Sequence, residues 1–252
     1  MKKLKFYSLI LLALMVNASI YAQNANTEKP TIIFVHGIWA DGSSFAYQIG
    51  ALQAKGYQVI SVQNPIISLA DDVAATQRAI DQVKGKVLLV GHSWGGFVIT
   101  QAGNDPKVIG MVYLAAYGPD LGESLLAVSA NGPKTELTKY LAPTNGFVYI
   151  SEAGVKSVFA NDLSPKQQAL VYATQTPAFH TVFEDKSGTP AWKNKPSWYV
   201  LAKNDKTIAP DLQRFMAKRM NAKTIEIESS HVVMISHAKE VLNVIEAAAS
   251  AK

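Results

Sequence analysis

Gly91-His92-Ser93-Trp94-Gly95 sets a serine between two glycines, and the residues before it, Lys86–Val90, have the apolar character of a strand. A helix-forming run follows. That strand-turn-helix context turns the short G-x-S-x-G pattern into a candidate nucleophile turn. The flanking glycines leave room for strand and helix to approach, and the turn holds the serine backbone in a strained conformation. A serine hydroxyl is a weak nucleophile near neutral pH, so the chemistry also needs a base within hydrogen-bond reach and a group to orient that base.

Five histidines can supply the base. His92 adjoins Ser93 but is expected to point away from it, and His36 lies in the turn after the first strand, where a structural hydrogen bond is the simpler role. His180 falls in an irregular region. His237 opens the last helix and is the competitor to His231, which follows the last strand in the Ser229-Ser230-His231 loop. His231 is the expected base. The orienting carboxylate should sit at a strand end between Ser93 and His231 in sequence. Asp205, just past Trp198–Ala202, meets that requirement. Asp120, after the fourth strand, is its main competitor, while Asp211 reads as a first-turn helix residue.

Charge that develops on a substrate oxygen also needs donors. Gly37, in His36-Gly37-Ile38-Trp39, allows a turn that aims the Ile38 N–H at the nucleophile, and the Trp94 N–H at the start of the helix would be the second donor of an oxyanion hole. Trp39 and Trp94, beside those amides, are candidates for lining a substrate pocket.

The elements that must position these groups alternate strand and helix from Thr31 onward, the rhythm of a parallel sheet covered on both faces. Thr31–Val35, Tyr57–Val62, Lys86–Val90 and Val108–Leu114 read as strands. Phe45, Ile49 and Leu52 share one helical face that Gly56 ends, and Ser68–Asp71 resembles a capping box for a helix burying Val73, Ile80 and Val83. The rhythm stops across about residues 119–195, where short helical pieces such as Ser164–Thr174 predict an inserted cap. Its Phe159, Tyr172, Phe179, Phe183 and Trp192 have the composition of packing residues. Ser197–Leu201 and Thr224–Ile227 restore strands, with helices at Pro210–Met220 and Ala238–Ala249.

The chain has 252 residues, 48% of them hydrophobic and 17% charged, with no cysteine. That composition excludes disorder and a disulfide scaffold and suits a single globular domain. Residues 1–22 read as a signal peptide: Lys2, Lys3 and Lys5 precede an apolar run too short to span a bilayer, and small residues follow it. Cleavage is expected after Ala22, or else after Ala18, giving an exported periplasmic or secreted domain over residues 23–252. Losing three lysines lowers the formal charge from +5 to +2, so nothing argues for nucleic acid. No membrane insertion of the mature chain is expected.

Taken together, Phe34–Gly37 with Ala40–Ser43, Gly91–Gly96, Asn204–Ile208, and Ser230-His231 with Met234–Ser236 resemble the α/β-hydrolase fold of the small esterase type. Within it, the chain is most similar to bacterial serine hydrolases related to plant methyl-ester esterases and hydroxynitrile lyases. The resemblance covers essentially the whole mature chain. It implies an α/β fold with a mostly parallel sheet of about six strands, a helical cap, and a triad of Ser93, Asp205 and His231. It also implies a small-molecule ester substrate and no metal or organic cofactor. Only Gln23–Pro30 precedes the first strand, so the antiparallel pair of larger members should be missing. Plant hydroxynitrile lyases carry lysine after the catalytic histidine and threonine where Gly37 stands here; Val232 and Gly37 favour hydrolysis. Two alternatives remain open: a ligand-binding protein that retains the fold, and a cofactor-free perhydrolase or haloperoxidase using the same serine.

Overall fold

Strands buried on both faces need apolar residues at every position rather than alternate ones, and Thr31–Val35 is such a run. In the computed structural model, which describes residues 29–251, it forms β1 with all five residues buried. The expected signal peptide, 1–22, lies outside the described residues. The other central strands follow the same rule: β3 (Val87–His92) is buried throughout, and β4 (Val108–Leu114) nearly so. With β2 at Val59–Val62, β8 at Ser197–Ala202 and β9 at Lys223–Ile227, they make a six-stranded sheet in the order β2-β1-β3-β4-β8-β9, every pair parallel. The strands β5 to β7 belong to a separate sheet described below.

Register decides what this sheet can bring together. Val35 lies opposite Gly91, so the turn after β1 and the turn after β3 leave the sheet side by side. Ala202 lies opposite Ile227, so the loops after β8 and β9 also emerge level. The carboxyl ends of four strands thus present Ile38, Ser93, Asp205 and His231 along one rim, the usual location of sites in open parallel sheets.

Helices cover both faces. Ala46–Ala54 (α1) ends at Lys55 with Gly56 at φ +78°, the left-handed stop expected of glycine. Leu69–Asp81 (α2) is capped by Ser68, whose hydroxyl accepts the Asp71 N–H at 3.1 Å. Its buried stripe departs from expectation at one place. Val73 is only partly buried, and the first turns face the core with Leu69 and Asp72, followed by Ala75, Thr76, Ala79 and Ile80 at helical spacing. Gly95–Ala102 (α3) is buried almost all round beneath the serine turn.

Between β4 and β8 the chain forms short helices and a second, small sheet. Pro165–Ala173 (α4) is a helix with a complete Ser164/Gln167 capping box. Beside it, β5 (Leu141–Thr144), β6 (Phe147–Ile150) and β7 (Ala178–Phe179) form a small antiparallel sheet. The β5–β6 turn is Asn145-Gly146, with φ of +50° and +82°, the two-residue hairpin chemistry that asparagine-glycine favours. Two longer helices follow, α5 (Pro210–Arg219) and α6 (Ala238–Ala249); α6 buries Val241, Leu242, Ile245 and Ala248 and packs on α1 and β4. No helix among the described residues is long and apolar enough to cross a membrane.

Candidate active site

Ser93 occupies the tight turn between β3 and α3 with φ +54°, a left-handed conformation that a residue bearing a Cβ adopts only at a cost of about 1–3 kcal/mol. Two neighbouring glycines make the turn possible. A Cβ at Gly95 would stand 2.2 Å from the Val35 carbonyl oxygen, and one at Gly37 would stand 2.6 Å from the Ser93 Cβ. Any side chain at either position would push the β1 turn away from the serine.

His231 Nδ1 and Asp205 Oδ2 lie 2.7 Å apart, both side chains fully buried. Asp205 also accepts from the Thr207 N–H at 2.7 Å, the Ile208 N–H at 2.9 Å and the Gln213 Nε2 at 2.7 Å. All four contacts are donated to it, which directs the Nδ1 proton of His231 to Asp205 and leaves Nε2 as the lone-pair nitrogen. That Nε2 is buried and has no hydrogen-bond partner among the described residues. Two backbone donors are also unengaged there: neither the Ile38 N–H nor the Trp94 N–H makes a hydrogen bond among the described residues.

The competing residues sit elsewhere. Asp120 pairs with Lys193 at 2.5 Å, and this contact holds its carboxyl below the usual range. Asp211 pairs with Arg214, His180 is exposed, and His237 caps α6 with its ring near Ser236. His36 hydrogen-bonds the Gly37 carbonyl, the structural role expected of it. His92 has a function that the sequence did not suggest: its Nε2 donates to the His231 carbonyl at 3.1 Å, with the two rings 4.7 Å apart. Burial, then the neighbouring His231, pushes the His92 pKa well below its ordinary value, so no cation forms beside His231.

The β4–β8 segment reaches the site through Val158–Asp162. The Phe159 ring packs against His231 at 5.1 Å and meets Trp39 edge-on at 6.1 Å. The Val158 carbonyl accepts the Thr207 hydroxyl at 3.1 Å, and Asp162 accepts the Ser230 N–H at 2.8 Å. Val158, Phe159 and Asp162 thus tie this segment to the loop after β8 and the loop after β9 at once.

Trp39 is almost fully buried at φ +59°; its indole donates to the Val148 carbonyl at 2.8 Å and its N–H to the Thr176 carbonyl at 2.9 Å. It anchors the turn that follows β1 to the inserted segment. Trp94 corrects an expectation. Its ring is stacked 4.9 Å from Phe97 and its indole N–H is held by Asp72, so the ring packs against α2 and α3.

Three further residues escaped the sequence reading: Gln213, which fixes Asp205; Asp162; and Asp72. Burial pushes the Asp72 pKa up from 3.8 to about 6, against the opposing hydrogen bonds from Trp94 and Ile66. The native state then holds a proton that the unfolded chain has already released, so stability falls as pH rises from about 4 through 6 and is level above. Unfolding free energies from urea titration should show wild type losing roughly 3 kcal/mol relative to Asp72→Asn between pH 4 and pH 7. A difference that does not vary with pH would mean that Asp72 ionises as it does in the unfolded chain.

A six-stranded parallel sheet with a serine turn at the end of β3, and an aspartate-histidine pair on the loops after β8 and β9, defines a recognisable class. The model of the Alpha/beta hydrolase family matches residues 32–244, and the chain belongs to that family. The alpha/beta hydrolase nvfD of Aspergillus novofumigatus is 25% identical, over 88% of this chain and 97% of its own. Among solved structures, a pyrethroid hydrolase from Sphingobium faniae superposes with a TM-score of 0.75 at 19% identity, over 88% of this chain and 98% of its own. A methylesterase from Arabidopsis gives a TM-score of 0.70 at 19% identity, over 88% of this chain and 99% of its own. The likeness to these two structures is one of fold, and it agrees with the resemblance drawn from the motifs.

Proposed function

We propose that this protein is a serine hydrolase that cleaves carboxylic esters of small, largely apolar substrates through an acyl-enzyme. Ser93 Oγ attacks the acyl carbon as His231 Nε2 takes its proton. The carbonyl oxygen gains the negative charge and lies between the Ile38 and Trp94 N–H groups. His231 then gives its proton to the departing alcohol. Water, deprotonated by the same nitrogen, releases the acid and frees the serine. Asp205 holds the histidine tautomer throughout and stabilises the imidazolium. The observation that supports this reading best is the buried, unpartnered Nε2 of a histidine whose other nitrogen is tied to a carboxylate. Burial of the groups strengthens the electrostatic interactions the scheme relies on. Export on residues 1–22, with release near Ala22, is part of the proposal.

The preference for apolar acyl groups rests on Phe159, whose ring packs on His231 at 5.1 Å, and on Trp39, which meets Phe159 edge-on. A panel of aryl esters of increasing acyl length, run on the mature protein, tests the reading directly. Wild type should turn over several of them, and Phe159→Ala should shift the preference toward longer acyl chains. Trp192, pinned by its indole to the Pro119 carbonyl at 2.8 Å, should behave differently. Trp192→Ala should leave the preference alone and lower stability by about 3–5 kcal/mol. An unchanged profile in Phe159→Ala would remove the segment's aromatic face from selectivity, and stoichiometric binding without turnover would replace the hydrolase reading with a binding one.

A further inference from the structure

The relay of Ser93, His231 and Asp205 leaves one buried carboxylate near it without a role. Asp72 has no solvent exposure. Its Oδ2 accepts the Trp94 indole N–H at 2.7 Å, and its Oδ1 accepts the Ile66 backbone N–H at 2.8 Å. The Asn64 side-chain amide, two residues before Ile66, donates to the His36 carbonyl at 3.2 Å. Ile66 presents its N–H from φ +52°, a left-handed conformation that is a true outlier for a β-branched residue. An apolar residue at position 72 would have continued the core stripe of α2 without a buried charge or a strained turn. Replacing such buried charges by well-packed apolar groups is often neutral or stabilising, so stability alone does not account for Asp72.

What the carboxylate joins is informative. It bonds the side chain of Trp94, whose own N–H is one of the two unengaged donors, and it fixes the backbone at Ile66, two residues after Asn64, whose amide holds the carbonyl of His36, two residues before the other donor at Ile38. Oxyanion donors act by being fixed in advance at the place where charge will develop, so small errors in their direction are felt in the transition state and little in substrate binding. We infer that Asp72 is a positioning residue for the oxyanion-binding amides, holding the serine turn through Trp94 and the turn after β1 through the Asn64–Ile66 turn. The inference rests on the serine-ester reading above.

Asp72→Asn keeps the shape but sets an amide NH2 against one of two groups that only donate, the Trp94 indole N–H and the Ile66 N–H. Trp94→Phe removes the indole N–H while leaving the backbone amide and an aromatic ring. Each is compared with wild type, at a temperature where all are folded, for kcat and KM on one aryl ester and for the affinity of a trifluoromethyl ketone, whose serine adduct carries an oxyanion. Losing a whole oxyanion donor typically costs about 100- to 1,000-fold, so misdirecting donors should cost less. In both variants kcat and ketone affinity should fall together by about 10- to 100-fold, with KM within about threefold, and the double variant should be no worse than the poorer single one, because both remove the same bond. Unchanged kcat and ketone affinity in either folded variant, or a change confined to KM and thermal stability, would overturn the inference while leaving the serine-ester reading intact. Should Asp72→Asn fail to fold, Trp94→Phe decides by the same criteria. A wild type that neither turns over the ester nor binds the ketone would overturn the ester reading, and this inference with it.

Discussion

Replacing Ser93 by alanine should abolish ester turnover, by up to about a million-fold, since nucleophile and base act as a unit and losing either removes the covalent route. The fold should persist. Alanine keeps the Cβ that already tolerates φ +54°, and the backbone bonds of the turn, Ser93 N–H to the Leu114 carbonyl at 3.2 Å and the Tyr117 N–H to the Ser93 carbonyl at 3.1 Å, do not involve the hydroxyl. Thermal unfolding measured beside kcat separates the two effects. Activity above a few per cent of wild type in a folded Ser93→Ala would take Ser93 out of the mechanism.

Asp205→Asn should lower kcat by roughly ten-thousand-fold without a comparable change in KM. The amide cannot hold the His231 Nδ1 proton as a carboxylate does, so the imidazole is free to take the other tautomer, with Nε2 protonated and unable to accept from Ser93. Asp120→Asn is the control. Its partner Lys193 is half exposed, and exposed ion pairs contribute about 0–1 kcal/mol, so kcat should barely move. If the ranking came out reversed, the acid would sit after β4 instead of after β8. His237→Ala set against His231→Ala resolves the base in the same way.

The parts of the fold visible in the sequence are those where one physical requirement dominates. Strands β1, β3 and β4, covered on both faces, had to be continuous apolar runs, and the serine turn had to carry glycines where β1 presses on it. The hairpin of β5 and β6 was harder to see because its strands are four residues each and Pro143 interrupts the pattern. The Asn145-Gly146 turn was its one strong signal. Asp72 was hidden for another reason. A carboxylate in the first turns of a helix looks like a solvated residue that complements the helix dipole, yet its spacing to Thr76, Ala79 and Ile80 puts it on the core stripe. Asp162 acts through a contact 68 residues away in the chain and Gln213 reaches back 8 residues across a loop, and neither periodicity nor motif marks such pairs. The pairing of Asp205 with His231 was legible only because the order of strands fixes which loops share a rim.

The central claim is that Ser93 alone is the activated nucleophile. Its most direct test is mass mapping of the folded protein after reaction with a fluorophosphonate, a probe that phosphonylates an activated serine with loss of fluoride. The account predicts one adduct per chain, on the peptide containing Ser93, absent from Ser93→Ala and formed far more slowly in Asp205→Asn. An adduct on another residue, such as Ser230 beside the base, with Ser93 left unmodified, or no adduct on folded wild-type protein, would contradict it.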